Sequence, residues 1–252
     1  MLYSGLVSIT FRKLSVERVV ELAGEAGVSG IEWGGDVHAP HGDLSAAREV
    51  RKLTRDAGLS VAAYGSYYRA GHNDPPFEAV LASAREMGAP LIRVWAGRRG
   101  SGDADEAYRR QVARDSVRIA DEAAGAGMNV AYEFHAGTLT DTTESTRRLL
   151  ADADHPNVQC YWQPPRGADL ATCRGGLEAV GNRLAHVHAF TWTAEGERLP
   201  LGEGRGTWPP LLDDIAAVPG DRYVLVEFVR GDAPEQFLDD AKTLNDWLAR
   251  FS

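Results

Sequence analysis

Eight short apolar runs, each too brief for a helix, alternate along the chain with eight longer stretches whose apolar residues recur three and four apart. The short runs predict strands at Tyr3–Ile9, Gly30–Trp33, Ser60–Tyr64, Leu91–Trp95, Asn129–Glu133, Val158–Trp162, Leu184–His188 and Tyr223–Glu227. The longer ones predict helices at Ser15–Ala26, Ser45–Ala57, Pro75–Met87, Asp105–Ala126, Asp141–Ala153, Asp169–Val180, Thr207–Ala217 and Pro234–Phe251. Strict strand–helix alternation with no Ser-, Pro- or Gly-rich linker argues for one α/β domain over residues 1–252, closed as a single (β/α)8 barrel. A doubly wound sheet is the rival, but no GxGxxG turn follows the first strand.

Local chemistry sets several helix limits. Ser15 can accept from the first free amides of its helix, and Gly27 suits the left-handed stop after it. Asp141 and Glu144 have capping-box spacing. In the last helix Phe237, Ala241, Leu244, Leu248 and Phe251 form one apolar stripe, with Asp239, Asp240 and Arg250 expected in water.

Charge and cysteine content narrow the partners. Lysine and arginine number 27 against 36 acidic residues, so the formal net charge is −9 and a nucleic-acid phosphate backbone is repelled. Cys160 and Cys173 form no CxxC, and the opening MLYSGLVSITFRK lacks the pattern of a secretory signal, so a reducing cytoplasm is the expected location. No apolar stretch reaches the roughly 20 residues that span a bilayer, so no membrane partner is expected.

Polar residues at the ends of buried strands need a reason, because an ionisable group there is costly unless paired or metal-bound. Strands five to eight end in such residues: Glu133, Gln163, His188 and Glu227. Two carboxylates, an imidazole and a carboxamide oxygen on neighbouring strands suit one divalent cation such as manganese, cobalt, magnesium or zinc. Taken singly, each also reads as an ordinary ion-pair or helix-cap partner. The two-residue period adds His135 beside Glu133 and His186 beside His188. His38, His72, Trp95, Arg166 and Arg198 are candidate substrate contacts on the other strand ends and loops, and Tyr64, Tyr67, Tyr68, Trp162, Phe190 and Trp192 are candidate aromatic surface near the mouth.

IEWGGDVHAP, AYEFHAGTLTDT, the HVH of strand seven, RLPLGEGRGTW and VLVEF together resemble the xylose-isomerase-like TIM barrels, the sugar phosphate isomerase and epimerase superfamily. The resemblance runs from the first strand to the last helix. It implies a metal bound by Glu, Asp, His and Glu from strands five to eight, with both glutamates also moving protons. The first glutamate falls on Glu133, the histidine on His188 and the last glutamate on Glu227, whereas the family aspartate falls on Gln163 and the following histidine on Arg166. The family arginine before its Gly-x-Gly loop matches Arg198, with Gly202 and Gly204 after it. Pairing of barrels through the loop face, as a homo-oligomer, is a further expectation from the family.

The resemblance implies an isomerase or epimerase of a keto-sugar or related polyol, with Glu133 and Glu227 transferring protons through an enediolate next to the metal. Two alternatives stay open: a metal-dependent dehydratase of a keto-cyclitol type substrate, and a barrel whose site, with Gln163 in place of aspartate, binds a sugar or partner without turnover. The DNA-repair branch of the superfamily is disfavoured by the acidic charge and by too few metal-spaced histidines and carboxylates.

Overall fold

Each short apolar run becomes a strand buried on both faces, which a parallel sheet requires when helices cover its outside. The structure, a computed structural model, describes residues 1–251. Its strands are β1 (Leu2–Val7), β2 (Gly30–Gly34), β3 (Ser60–Arg69), β4 (Leu91–Trp95), β5 (Asn129–Tyr132), β6 (Val158–Trp162), β7 (Leu184–Ala189), β8 (Thr191–Trp192), β9 (Arg198–Leu199) and β10 (Arg222–Val226). Eight of them close in the order β1–β10–β7–β6–β5–β4–β3–β2, and β1 pairs in parallel with both β2 and β10. The α-helices are α1 (Val16–Glu25), α2 (Leu44–Asp56), α3 (Phe77–Met87), α4 (Glu106–Gly125), α5 (Thr143–Ala153), α6 (Leu170–Val180), α7 (Trp208–Ala217) and α8 (Pro234–Leu248). This is the (β/α)8 barrel expected from the alternation.

The caps explain where most helices begin. Side chains of Ser15, Asp43, Asp105, Thr142 and Asp169 accept backbone amides at the starts of α1, α2, α4, α5 and α6. Gly27 takes φ 64° just beyond α1, a conformation that favours glycine.

Several expected limits are corrected. β1 stops at Val7 rather than Ile9, because the chain turns into a short 3-10 segment, Ser8–Phe11, where the Ser8 hydroxyl accepts from the Gly34 amide. β3 runs on to Arg69 instead of ending at Tyr64, with an irregular register against β4 between Gly65 and Arg69. α3 starts at Phe77 rather than Pro75, since a residue preceding proline is held out of the helical region and Pro76 is itself extended. The cap of α5 is Thr142, accepting from Ser145 N, whereas Asp141 Oδ2 accepts from Ser101 N at 2.9 Å. Asp240, expected in water, is buried, and its Oδ1 accepts from Leu201 N at 2.8 Å. The two-residue strands β8 and β9 form an antiparallel hairpin that the alternation did not predict.

Two apolar layers surround the barrel wall. The outer one packs helix stripes on the strands, as where Phe237, Ala241 and Leu244 of α8 are fully buried. The inner one is thin: Leu91, Ala131, Tyr161 and Leu225 belong to a small cluster inside the barrel. Two residues further along the chain stand Arg93 on β4 and Glu133, Gln163 and Glu227, each the first residue past its strand. The period of two thus lifts each chain from an apolar layer to a polar one at the carboxyl ends of the strands. No helix of the described residues is long and apolar enough to cross a membrane.

Candidate active site

The polar layer is a connected set of buried ionisable groups. Arg93, 2% exposed, donates from Nε to Glu32 Oε1 at 2.6 Å and from its terminal nitrogen to Glu133 Oε2. Trp95 Nε1 donates to the same Glu133 oxygen at 2.7 Å. On the other side His188 Nε2 lies 3.4 Å from Glu32 Oε2, while its Nδ1 is bonded to Gln163 Oε1 at 3.0 Å. Glu227 Oε2 stands 3.2 Å from that same Nδ1 as an ion-pair partner, yet it is buried with no hydrogen-bond donor. Glu32 therefore touches both halves of the set.

Charge states follow from these contacts. Burial works against the His188 imidazolium, but Glu227 and Glu32 outweigh it and push its pKa up to about 10. With acceptors at both nitrogens the ring is doubly protonated. Burial alone would raise Glu32, but Arg93 and then His188 hold its carboxyl well below the usual carboxylate range. Burial likewise opposes the charge of Arg93, and Glu133 and Glu32 reverse that, raising it well above its ordinary value. Three carboxylates thus face two cations, with one negative charge in excess. One layer deeper, His186 is driven down to about 4 by burial and is neutral, with Nδ1 accepting from Tyr223 N at 3.2 Å. The Tyr161 hydroxyl is buried without a partner, and burial followed by the field of Glu32 raises it well above the ordinary phenol range.

A cavity of about 690 Å³ opens above this layer. Arg93, Trp95, Glu133 and Glu227 line its floor, Tyr67, His135 and Phe228 its walls, and Arg12, Lys13, Arg198 and Asp232 its rim. His135 stacks on Trp95 with centroids 4.6 Å apart. Tyr67 and Phe228 both hold left-handed backbone, φ 55° and 54°, an unfavourable conformation for aromatic residues and one that concentrates at functional sites.

The expected residues divide clearly. Glu133, Gln163, His188 and Glu227 do share the polar layer, and Trp95, His135 and Arg198 line the cavity above it. His38, expected at the substrate, is buried behind the barrel wall, its ring nitrogens facing Ser8 Oγ and Leu14 O. His72 lies on a flank groove beside Tyr108, because β3 continues past the predicted end and carries the following loop outward. That groove is larger, about 930 Å³, but open and without a carboxylate pair. Arg166 is exposed and stacks over Trp192 at 4.2 Å, lining a separate small crevice. Of the aromatic residues expected at the mouth, Tyr64, Tyr68 and Trp162 are fully buried, and Tyr67 alone reaches the cavity.

Glu32 and Arg93 were missed, although the signal was present. A charged residue interrupts the apolar runs GIEWG and LIRVW just as in strands five to eight. The loop after β1, carrying Arg12 and Lys13 to the rim, gave no such signal.

Part of this donor set suits a divalent cation. His188 Nδ1, Gln163 Oε1 and the donorless Glu227 Oε2 converge, and the local excess of negative charge suits a cation. Glu133, the expected fourth ligand, is instead engaged by Arg93 and Trp95. Among the described residues no cluster of three His, Cys, Asp or Glu is arranged as a metal site. Three atoms therefore fit, one of them a neutral carboxamide oxygen.

Residues 20–249 match the sequence model of the xylose isomerase-like TIM barrel family. A 3-dehydroshikimate dehydratase of Bacillus anthracis is 31% identical over 281 aligned residues, covering 98% of this chain and 97% of that protein. Among solved structures, a probable 3-DHS dehydratase of Bacillus anthracis superposes with a TM-score of 0.79 at 22% identity, covering 97% of this chain and 99% of that one. A D-psicose 3-epimerase of Clostridium cellulolyticum gives 0.73 at 14% identity, with 99% and 98% covered. The latter two likenesses speak for the fold alone. The chain belongs to the xylose isomerase-like TIM barrel family.

Proposed function

We propose that the chain is a dehydratase of an anionic cyclic β-hydroxy ketone, with 3-dehydroshikimate as the first compound to test. The observation that carries this reading is the Glu133 carboxylate at the cavity floor. Two donors, Arg93 and Trp95, converge on its Oε2, so the group is held by one oxygen and can work with the other. At the rim Arg12 and Arg198 are paired with Asp36 and Asp232, and Lys13 beside them suits a substrate carboxylate; the Bacillus anthracis relative is named for 3-dehydroshikimate, which carries one.

In this reading Glu133 takes the proton from the carbon that lies between the ketone and the hydroxyl-bearing carbon. The C–H electron pair becomes an enolate, then forms a carbon–carbon double bond as the β C–O bond breaks. Glu133 returns its proton to the departing hydroxyl, and water leaves. Arg93 and Trp95 keep the carboxylate in place through both transfers. Glu227 completes the opposite side of the floor, held against His188.

Gln163, His188 and Glu227 are the residues that would hold a divalent cation, in exchange for the imidazolium proton of His188. Such an ion supplies polarisation of the substrate carbonyl oxygen.

An isomerase or epimerase is the second reading, favoured by Glu227 as a further carboxylate at the same floor. Epimerisation needs a proton donor on the other face, and its product has the mass of its substrate. The test is mass spectrometry of 3-dehydroshikimate, D-psicose and D-tagatose after incubation with the protein and manganese, cobalt, magnesium or zinc. Our reading expects a product lighter by one water from 3-dehydroshikimate. Conversion of the ketoses at unchanged mass, with 3-dehydroshikimate untouched, would overturn it.

A further inference from the structure

Among the charged groups of the polar layer, Glu32 lies outside the cavity's own lining, and the proposed chemistry gives it no part. It is fully buried on β2, yet it contacts the two side chains that flank the floor. One oxygen accepts from Arg93 Nε at 2.6 Å and the other faces His188 Nε2 at 3.4 Å. Arg93 in turn holds Glu133, and His188 faces Gln163 and Glu227. We infer that Glu32 is a positioning residue, which fixes Glu133 through Arg93 and fixes the Glu227 side through His188.

A guanidinium in a two-carboxylate clamp has its plane set from both ends, whereas one with a single partner can follow that partner as it moves. Removing the Glu32 charge, as in Glu32→Gln, leaves Arg93 in an ion pair with Glu133 alone and offers its Nε only a neutral amide oxygen in place of a carboxylate. The proton-accepting carboxylate then loses its fixed direction, and small displacements at a reacting centre are costly.

A second feature points the same way. Gly65 on β3 lies against this clamp, and a Cβ there would stand 2.6 Å from a terminal nitrogen of Arg93 and 3.0 Å from Glu32 Oε1. The missing side chain leaves room for the ion pair. Gly65→Ala therefore disturbs the clamp while every charged group is retained.

The inference rests on the dehydratase reading for its kinetic test, and a spectroscopic reading separates the two. Steady-state rates on 3-dehydroshikimate are measured for the parent, Glu32→Gln and Gly65→Ala. In the same proteins the indole N–H NMR signal that disappears in Trp95→Phe is followed, because that indole donates to Glu133. We expect kcat to fall about a hundredfold in both variants, with KM within about threefold of the parent and the Trp95 signal displaced. Gly65→Ala answers the question should Glu32→Gln fail to accumulate as folded protein. A folded variant with an unmoved Trp95 signal and near-parental kcat overturns the inference, as does a loss confined to KM. If the parent leaves 3-dehydroshikimate unchanged, the dehydratase reading falls and the Trp95 signal alone decides. Movement then supports the positioning role, and a fixed signal overturns it.

Discussion

At the scale of single residues the molecule is dominated by charges that burial would forbid singly. Glu32, Arg93, Glu133, His188 and Glu227 are each no more than 5% exposed, and each has an opposite charge within 4 Å. Gln163 is the neutral member facing them. Its Oε1 accepts from the nitrogen beside the donorless oxygen of Glu227. A carboxylate there adds one negative charge at contact distance, so Gln163→Asp is expected to tighten manganese or zinc binding about tenfold or more, roughly 1.4 kcal/mol. Calorimetric titration of chelator-treated protein measures this, and an unchanged affinity would exclude Gln163 from the ligands. Four of these six were legible in the sequence, because Glu133, Gln163, His188 and Glu227 punctuate apolar strands at equivalent ends. Glu32 and Arg93 carry the same mark, but their pairing joins strands two and four over the intervening β3, which spacing along a chain cannot express. Loop residues are harder still: whether His38, His72 or Arg166 reaches the cavity depends on the path of each loop.

At the scale of elements, boundaries followed local chemistry where that chemistry was unambiguous. Ser15 and Gly27 frame α1 as read. At α5 two acidic or hydroxylic residues compete for the cap, and tertiary contacts decide. Asp141 is drawn across to the Ser101 amide, which leaves Thr142 to accept from Ser145 N at 3.2 Å. Thr142→Ala is therefore expected to destabilise the protein by about 1 kcal/mol, read from the urea midpoint at constant slope. A midpoint unchanged in Thr142→Ala but lowered in Asp141→Ala would return the cap to Asp141. The hairpin of β8 and β9 escaped the reading because two residues per strand give no period. It forms where the Thr193–Glu197 turn, with Gly196 at φ 90°, folds the chain back.

At the scale of the whole molecule, closure is what turns scattered strand ends into a site. β1 joins β2 to β10, so residues from the beginning and end of the chain enter one polar layer, with the cavity above it. The alternation of elements pointed to that closure, because eight near-equal units without a GxGxxG turn after the first strand favour a closed barrel over a doubly wound sheet. The shape and lining of the cavity were not legible, since its rim comes largely from the loop after β1. That rim carries Arg12, Lys13 and Arg198, with Arg12 paired to Asp36 and Arg198 to Asp232, which leaves Lys13 as the cation placed to meet an anionic substrate. The central claim is that Glu133 removes the carbon-bound proton whose loss leads to water elimination. Its most direct test compares the parent with Glu133→Gln on 3-dehydroshikimate, following the aromatic absorbance that water loss creates. The account predicts steady formation of that absorbance by the parent and a fall of about a hundredfold or more in the folded variant; equal rates in the two proteins would contradict it.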